Sequence, residues 1–344
     1  DKIRMLSLNV KNYFETSSAI IRDKKLYNYY DEFYTKNYKD NNVWGETFAG
    51  YLTVKDNSYI YGYDAIYFGG TVGYDRRVNK YFTVGSSITA SQANTENNAD
   101  EGSVDKTKVT SLNGNLYTML AGKTFFFSNY IGITGNKYDQ ERNMKFLDLE
   151  RTALADFYGL SYSAGASLGF NLIQEFDSEE QFIIRKINTK YRAYDRDLHI
   201  SNVVITPSIS IFATHFTVEK YKETNTGSIG LEVENKPITS LEAEAKLTFV
   251  RNKSIRNNFI MQNMISGFIS YNFLETQTKV KARYLGDIRW FEAEGWKPKP
   301  TTFGGSVGLY FMKADNYQFG VDYNFSSSSE MMSHLLKFNF MYLF

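Results

Sequence analysis

From about residue 43 onward, side chains change character at every second position, and they do so over unusually long runs. Tyr158, Leu160, Tyr162, Ala164, Ala166, Leu168 and Phe170 alternate with Gly159, Ser161, Ser163, Gly165, Ser167 and Gly169. Leu241, Ala243, Ala245, Leu247 and Phe249 alternate with Ser240, Glu242, Glu244, Lys246 and Thr248. Phe303, Gly305, Val307, Leu309 and Phe311 face away from Gly304, Ser306, Gly308 and Tyr310, and Tyr317 to Phe325 splits the same way around Asp322. Successive side chains of a strand point to opposite faces, so each run has one bulky apolar face and one small or polar face.

Alternation alone does not say which face is inside. A soluble sandwich buries its apolar faces against each other. An outer-membrane barrel turns them to lipid and lines its lumen with the polar set. Three features select the barrel. Many runs are about twice the ~5–6 residues of an ordinary strand. Aromatic residues gather toward run ends, as interfacial girdles require. Connections alternate between short and long, as on the two sides of an outer membrane. Composition agrees. Phe and Tyr number 27 each in a chain whose mean hydropathy is only −0.41, and lipid-facing rows give those rings a place. Four prolines suit a chain of paired strands, where each would remove a ladder donor.

Strands are expected near 43–54, 61–75, 79–92, 106–120, 123–136, 155–175, 202–218, 238–251, 257–273, 301–313, 316–326 and 331–344. That makes an all-β transmembrane barrel of 12 antiparallel strands. Extended pieces in the long connections (228–234 and 279–290) would raise the count to 14 if they spanned. Connections at 93–105, 137–154, 219–237 and 274–300 read as long outer loops, and 76–78, 121–122 and 314–315 as tight turns. Segment 176–201 is long yet falls on the short-turn side, and the pattern assigns it no role. Trp44, Glu46, Phe48 and Leu52 share one face of the first strand. Either Glu46 sits near the periplasmic interface, or Val43, Thr47 and Tyr51 are the outward set.

Residues 1–40 follow another pattern. They contain no glycine and no alternation, and Phe14, Ile21 and Tyr30 fit a mostly polar helix. The division is therefore a leader over 1–40 and a barrel over 41–344. No signal peptide begins at Asp1, so any export signal is expected upstream.

Several classes find no support. Net charge is +1, which gives no reason to expect nucleic acid. Zero cysteines exclude a disulfide framework and thiolate metal sites. His199, His215 and His334 lack metal spacing, and no GxSxG or phosphate-binding loop is present, so no enzyme, metal or cofactor is expected.

The chain ends on alternating Leu336, Phe338, Phe340, Tyr342 and Phe344. Together with the order VWGETFAG, FGGTVGYD, FYGLSYSAGASLGF, VITPSISI, SLEAEAKL and FGGSVGLYF, it resembles the C-terminal translocator domain of classical (type Va) autotransporters over nearly its whole length. The resemblance implies a bacterial outer-membrane barrel with a surface-exposed loop side. It implies that the barrel anchors and exports its own N-terminal passenger, with residues 1–40 as a helix in the pore. It also implies that Phe338, Phe340, Tyr342 and Phe344 form the signal read by the barrel assembly machinery. Beside it stands the reading of a free-standing channel or porin. Lipid, assembly machinery and passenger are the expected partners, and the barrel is expected to be monomeric.

On this reading Gly159, Gly165, Gly169, Glu242, Glu244, Lys246 and Asp322 face the lumen. A barrel of twelve strands lies between the ~8 whose interior side chains fill and the ~16–18 that leave a channel. It has room for one helix ~10–12 Å wide. The lumen glycines are read equally as points of wall curvature and as room for that helix. Asn41 and Asn42, just before the first strand, read as solvated turn residues rather than a self-cleavage site.

Overall fold

Strand runs through almost all of the chain that a computed structural model describes, namely residues 41–56, 61–79, 81–97, 104–121, 124–146, 149–175, 201–255, 259–274, 277–295, 297–313 and 317–344. The strands are β1 (Asn41–Val54), β2 (Tyr63–Asn79), β3 (Phe82–Asn97), β4 (Lys106–Ala121), β5 (Phe125–Phe146), β6 (Leu149–Phe170), β7 (Leu172–Glu175), β8 (Ser201–Val218), β9 (Tyr221–Lys222), β10 (Leu231–Asn235), β11 (Ile238–Ser254), β12 (Phe259–Asn272), β13 (Lys279–Tyr284), β14 (Phe291–Glu294), β15 (Thr301–Lys313), β16 (Tyr317–Ser327) and β17 (Met331–Leu343).

One sheet closes on itself. Its order is β11-β12-β15-β16-β17-β1-β2-β3-β4-β5-β6-β8, and β8 pairs back onto β11 from Phe216 opposite Ile238 to Ser201 opposite Lys253. The last strand meets the first, with Asn42 opposite Leu343 through Val54 opposite Met331. Backbone bonds between Asn41 and Phe344 finish the seam, at 3.2 and 3.0 Å. Strand β7 continues the line of β6, so the barrel has twelve staves, all antiparallel.

The interruption between β6 and β7 has a chemical cause. Gly169 pairs with Ser208 and Leu172 with Ile205, so the register does not shift. The unpaired positions between them lie opposite Thr206 and Pro207, and Pro207 has no N–H to donate. Beside the gap, on the lumen face, the Thr206 hydroxyl donates to Asn171 Oδ1 at 3.0 Å.

The candidate spans at 228–234 and 279–290 do not cross. They contribute to a separate four-stranded sheet, β14-β13-β10-β9, at the far end of the barrel, and the count stays at twelve. The expected loop at 137–154 is also corrected. Strands β5 and β6 pair without a break from Phe125 opposite Phe170 to Phe146 opposite Leu149. Alternation continues there, but Lys137, Asp139 and Glu141 replace apolar residues on the outward face. Past the edge of the bilayer, water rather than lipid meets that face, so charge is no longer excluded. The first turn shifts too, from 76–78 to the residues after Asn79. Asn79 Oδ1 accepts N–H bonds from Tyr81 and Phe82 at 2.9 and 3.1 Å, an Asx turn.

Short connections gather at the end that holds both Asn41 and Phe344, the periplasmic end by the usual asymmetry of such barrels. Segment 176–200 joins β7 to β8 at this end and lies outside the described residues. The expected helix of the leader, residues 1–40, also lies outside them.

The opposite mouth is built differently. Inward residues there are apolar, and a buried cluster runs from Met331 and Leu335 of β17 through Leu52, Val54, Tyr67, Val109 and Tyr138 to Phe157 and Phe216. Tyr221 of β9 leans onto this collar. Its ring stacks on Phe157 at 4.1 Å, and Phe157 stacks on Tyr138 at 4.9 Å. Arg142 of β5 grips Glu223 with two bonds, and Glu223 also accepts the Leu231 N–H at 2.8 Å. Within the small sheet, Glu232 is enclosed by Lys220 at 2.8 Å and Arg283 at 2.6 Å. Those cations lie 4.8 and 5.0 Å from the centre of the Trp290 ring.

Hydrogen bonds from Lys220 first, and then from Arg283, bring the Glu232 carboxyl down from 4.5 to about 2. A lowered carboxyl stabilises the folded sheet fully above its unfolded value and stops doing so as pH falls through its folded value. The order around Trp290 is therefore expected to be lost between about pH 4.5 and about pH 2. In a variant whose sole tryptophan is Trp290, emission should shift across that window. Glu232→Gln should abolish the transition, and a transition that survives it would assign the effect to another group.

The lumen wall as candidate functional site

Strand parity fixes what each side chain sees. On β6, Ser161, Ser163, Gly165, Ser167 and Gly169 are buried and inward, while Tyr158, Tyr162, Leu168 and Phe170 are exposed outward; Gly159 is inward and half-buried. On β11, Glu244 is buried, Glu242 and Lys246 are half-buried on the same inward face, and Leu247 and Phe249 are exposed. Asp322 is buried on the inward face of β16, between exposed Val321 and Tyr323. On β17, Leu336, Phe338, Phe340 and Tyr342 form an outward row, with Phe344 exposed just beyond it. On β1 the second alternative holds. Trp44, Glu46 and Leu52 turn inward and are buried, while Val43 and Tyr51 are exposed. Glu46 is thereby kept out of hydrocarbon, where a carboxylate is costly.

The lumen has two unlike sides. From β2 to β8 the described inward set is mainly uncharged, made of hydroxyls, amides, glycine and aromatic rings with Met119 and Val204 among them. Thr71 and Thr89 bond at 2.9 Å, Asn113 donates to Thr134 at 2.8 Å, and Ser167 bonds Ser210. The charged inward residues stand on β11, β16, β17, β1 and β2, namely Glu242, Glu244, Lys246, Asp322, Lys337, Glu46 and Asp75. Asp322 accepts from Tyr310 and Asn339 and lies directly opposite Lys337. Asp75 accepts from Asn42 at 3.0 Å and lies 3.4 Å from Tyr117 Oη, which in turn accepts from Trp44 Nε1 at 2.8 Å. Buried carboxylates need such partners, since an unmatched one costs several kcal/mol.

The inward glycines have a local role that the sequence left open. Each of several lies directly opposite an aromatic residue on the next strand. Tyr130 pairs with Gly165, Phe126 with Gly169 and Trp44 with Gly73. A Cβ at Gly165 would collide with the Tyr130 ring and stand 2.8 Å from Phe212; one at Gly73 would collide with the Trp44 indole. The glycine lets the ring lie flat on the wall, which keeps a large side chain from projecting into the lumen. The signal was present as bulky inward residues on the neighbouring strand, but it needs the register to be read. Gly165→Val should therefore lower stability by about 1–3 kcal/mol, the usual range for forced overpacking. Trimming the ring with Tyr130→Ser in the same chain should return part of the loss. Urea midpoints of refolded protein in detergent would measure both, and a fully additive double variant would separate the two residues.

Among the described residues the two histidines lie apart. His215 Nδ1 meets Thr239 Oγ1 at 2.9 Å and His334 Nδ1 meets Tyr323 Oη at 2.6 Å, on separate strand pairs. His199 lies outside the described residues. Among the described residues no group of three His, Asp or Glu is placed to hold a metal ion.

The geometry defines a class: a closed twelve-stranded outer-membrane barrel with a polar lumen and an elaborated loop side. The autotransporter beta-domain family model matches residues 43–175 and 193–324, more than half of the chain, and the chain belongs to that family. It is an outer-membrane translocator domain for passenger export, of a family that is not one of enzymes. The translocator domain of the autotransporter NalP from Neisseria meningitidis is similar in fold. The TM-score is 0.62 at 11% identity, over 96% of this chain and 98% of that one. The transport unit of the autotransporter AIDA-I from Escherichia coli gives 0.62 at 14% identity, over 91% and 92%. The beta domain of the Bordetella autotransporter BrkA gives 0.56 at 13%, over 89% and 100%. No curated protein matches the chain.

Proposed function

We propose that residues 1–40 are the segment that links the exported passenger to the barrel and fills its lumen as a helix, with residues 41–344 as the surrounding wall. The two-sided lumen is the observation that supports this reading. A polar helix needs partners for its charged face, and Glu242, Glu244, Lys246 and Asp322 stand on the charged side. Its apolar positions Phe14 and Ile21, seven residues apart and so on one face, would turn toward the neutral side and the apolar collar, while Tyr30 would lie on the opposite face. A helix of ~20 residues is ~30 Å long, enough to cross the bilayer. Planar-bilayer recordings test the plug. The intact chain should conduct poorly, and deletion of residues 1–38 should open it. Equal conductance with and without the leader would remove the plug and favour an ordinary channel.

Assembly is the second part of the proposal. The outward row ending at Phe344 is the feature that the barrel assembly machinery would read, and outer-membrane lipid is what it would then face, in a monomer. Deleting Phe344 removes one rim side chain, so refolding of purified protein in detergent should change little, while insertion in cells should drop markedly. Equal losses in both assays would place its effect in stability instead.

A further inference from the structure

The lipid-facing wall is not smooth. On the outside of β6, β8, β11 and β12 lies a groove of about 450 Å³ whose lining is almost wholly apolar, including Leu168, Phe170, Pro207, Leu247, Gly267 and Ile269. Its floor comes from residues with little or no side chain. Leu247 lies between Pro207 of β8 and Gly267 of β12 in one cross-strand row. Gly267 is not required by packing. A Cβ built there would meet nothing nearer than Gly304 O at 3.9 Å, so a larger residue would fit and fill the groove.

Below the groove, toward the periplasmic end, the same face of β11 carries exposed Phe249, Arg251 and Lys253. The positions directly opposite the two cations are Val203 and Ser201 on β8 and Asn263 and Met261 on β12; none is a carboxylate. This contrasts with the loop side, where outward Lys106 and Lys137 pair with Glu96 at 2.9 Å and Asp139 at 2.7 Å. Arg251 is four residues from Leu247, roughly 13 Å along a strand. One leaflet of hydrocarbon is about 15 Å, half of the ~30 Å core. At a strand tilt of about 35–45° the run from Leu247 to Arg251 is about 10 Å of depth, so the cationic pair stands nearer the periplasmic end and within one leaflet's depth of the apolar groove, with Phe249 between them.

We infer that this face is a binding site for an anionic glycerophospholipid of the periplasmic leaflet. Its phosphodiester would lie against Arg251 and Lys253, and one acyl chain would lie in the groove over Gly267. The inference rests on the barrel's membrane-spanning reading. The charge complementarity selects the headgroup, because a zwitterionic lipid brings no net charge to two cations whose described cross-strand neighbours are not acidic. The groove selects a lipid over a soluble phosphate.

Native mass spectrometry of the full chain tests the site, after refolding in detergent with equal phosphatidylglycerol and phosphatidylethanolamine. Heat-shifted gel mobility would establish for each variant that the barrel has closed, so a folding failure is read separately from a binding failure. The wild-type chain should retain phosphatidylglycerol over phosphatidylethanolamine by roughly tenfold, in keeping with the pull of two cations near a headgroup. Arg251→Gln with Lys253→Gln should remove that preference. Gly267→Leu, with both cations intact, should reduce retention of either long-chain lipid severalfold; Ala245→Leu serves the same end if Gly267→Leu does not close. Inorganic phosphate should fail to displace the lipid. The inference is overturned by equal retention of the two lipids by the wild type, by unchanged retention in the closed charge or groove variants, or by displacement with phosphate alone.

Discussion

A backbone N–H or carbonyl in hydrocarbon has no water to bond, and each one left unpaired costs several kcal/mol. The β1–β17 seam is the answer to that constraint. Without it, two strands would present open edges to lipid along the full height of the membrane. Every other feature assumes a closed ladder: parity, the inward placement of Glu46 and Asp322, and the outward aromatic rows. The gap opposite Pro207 shows how narrow the tolerance is, because pairing resumes at Leu172 opposite Ile205 in the same register.

Closure also sets what the two faces can hold. Outside, bulk is free and charge is not, so the exposed positions carry Leu, Ile, Val, Phe and Tyr. Inside, charge is allowed where it is partnered and bulk is limited by the width of the lumen. Tyr130 over Gly165 and Trp44 over Gly73 reconcile aromatic residues with that limit by laying rings on neighbouring backbone. Aromatic residues thus serve both faces, standing out into the bilayer on one and lying against the wall on the other.

The staves were legible because a half-buried strand in lipid has a strict period and few exceptions. The runs at Tyr158–Phe170, Leu241–Phe249 and Phe303–Phe311 name their own faces, and the terminal aromatic row marks the last strand. What was not legible lies beyond the membrane, where the pattern loses its chemistry without losing its conformation. Lys137, Asp139 and Glu141 look like loop residues but are outward strand residues in water. Pairings such as Tyr130 with Gly165 or Arg142 with Glu223 depend on register and long-range approach, which no local pattern carries. Glu46 could be read either way because Trp44 and Phe48 beside it look like lipid-facing residues and are not.

Strands β5 and β6 are 22 residues each, whereas β16 is 11 and β17 is 13. At about 3.4 Å per residue the longer pair rises some tens of ångströms above the shorter one. The rim is therefore a tall parapet on one side and a low sill on the other. A segment standing in the mouth therefore has strand wall beside it to a greater height along β5–β6 than along β16–β17. The low side adjoins the seam between the two ends of the barrel, because β17 is both one of the short strands and the closing one.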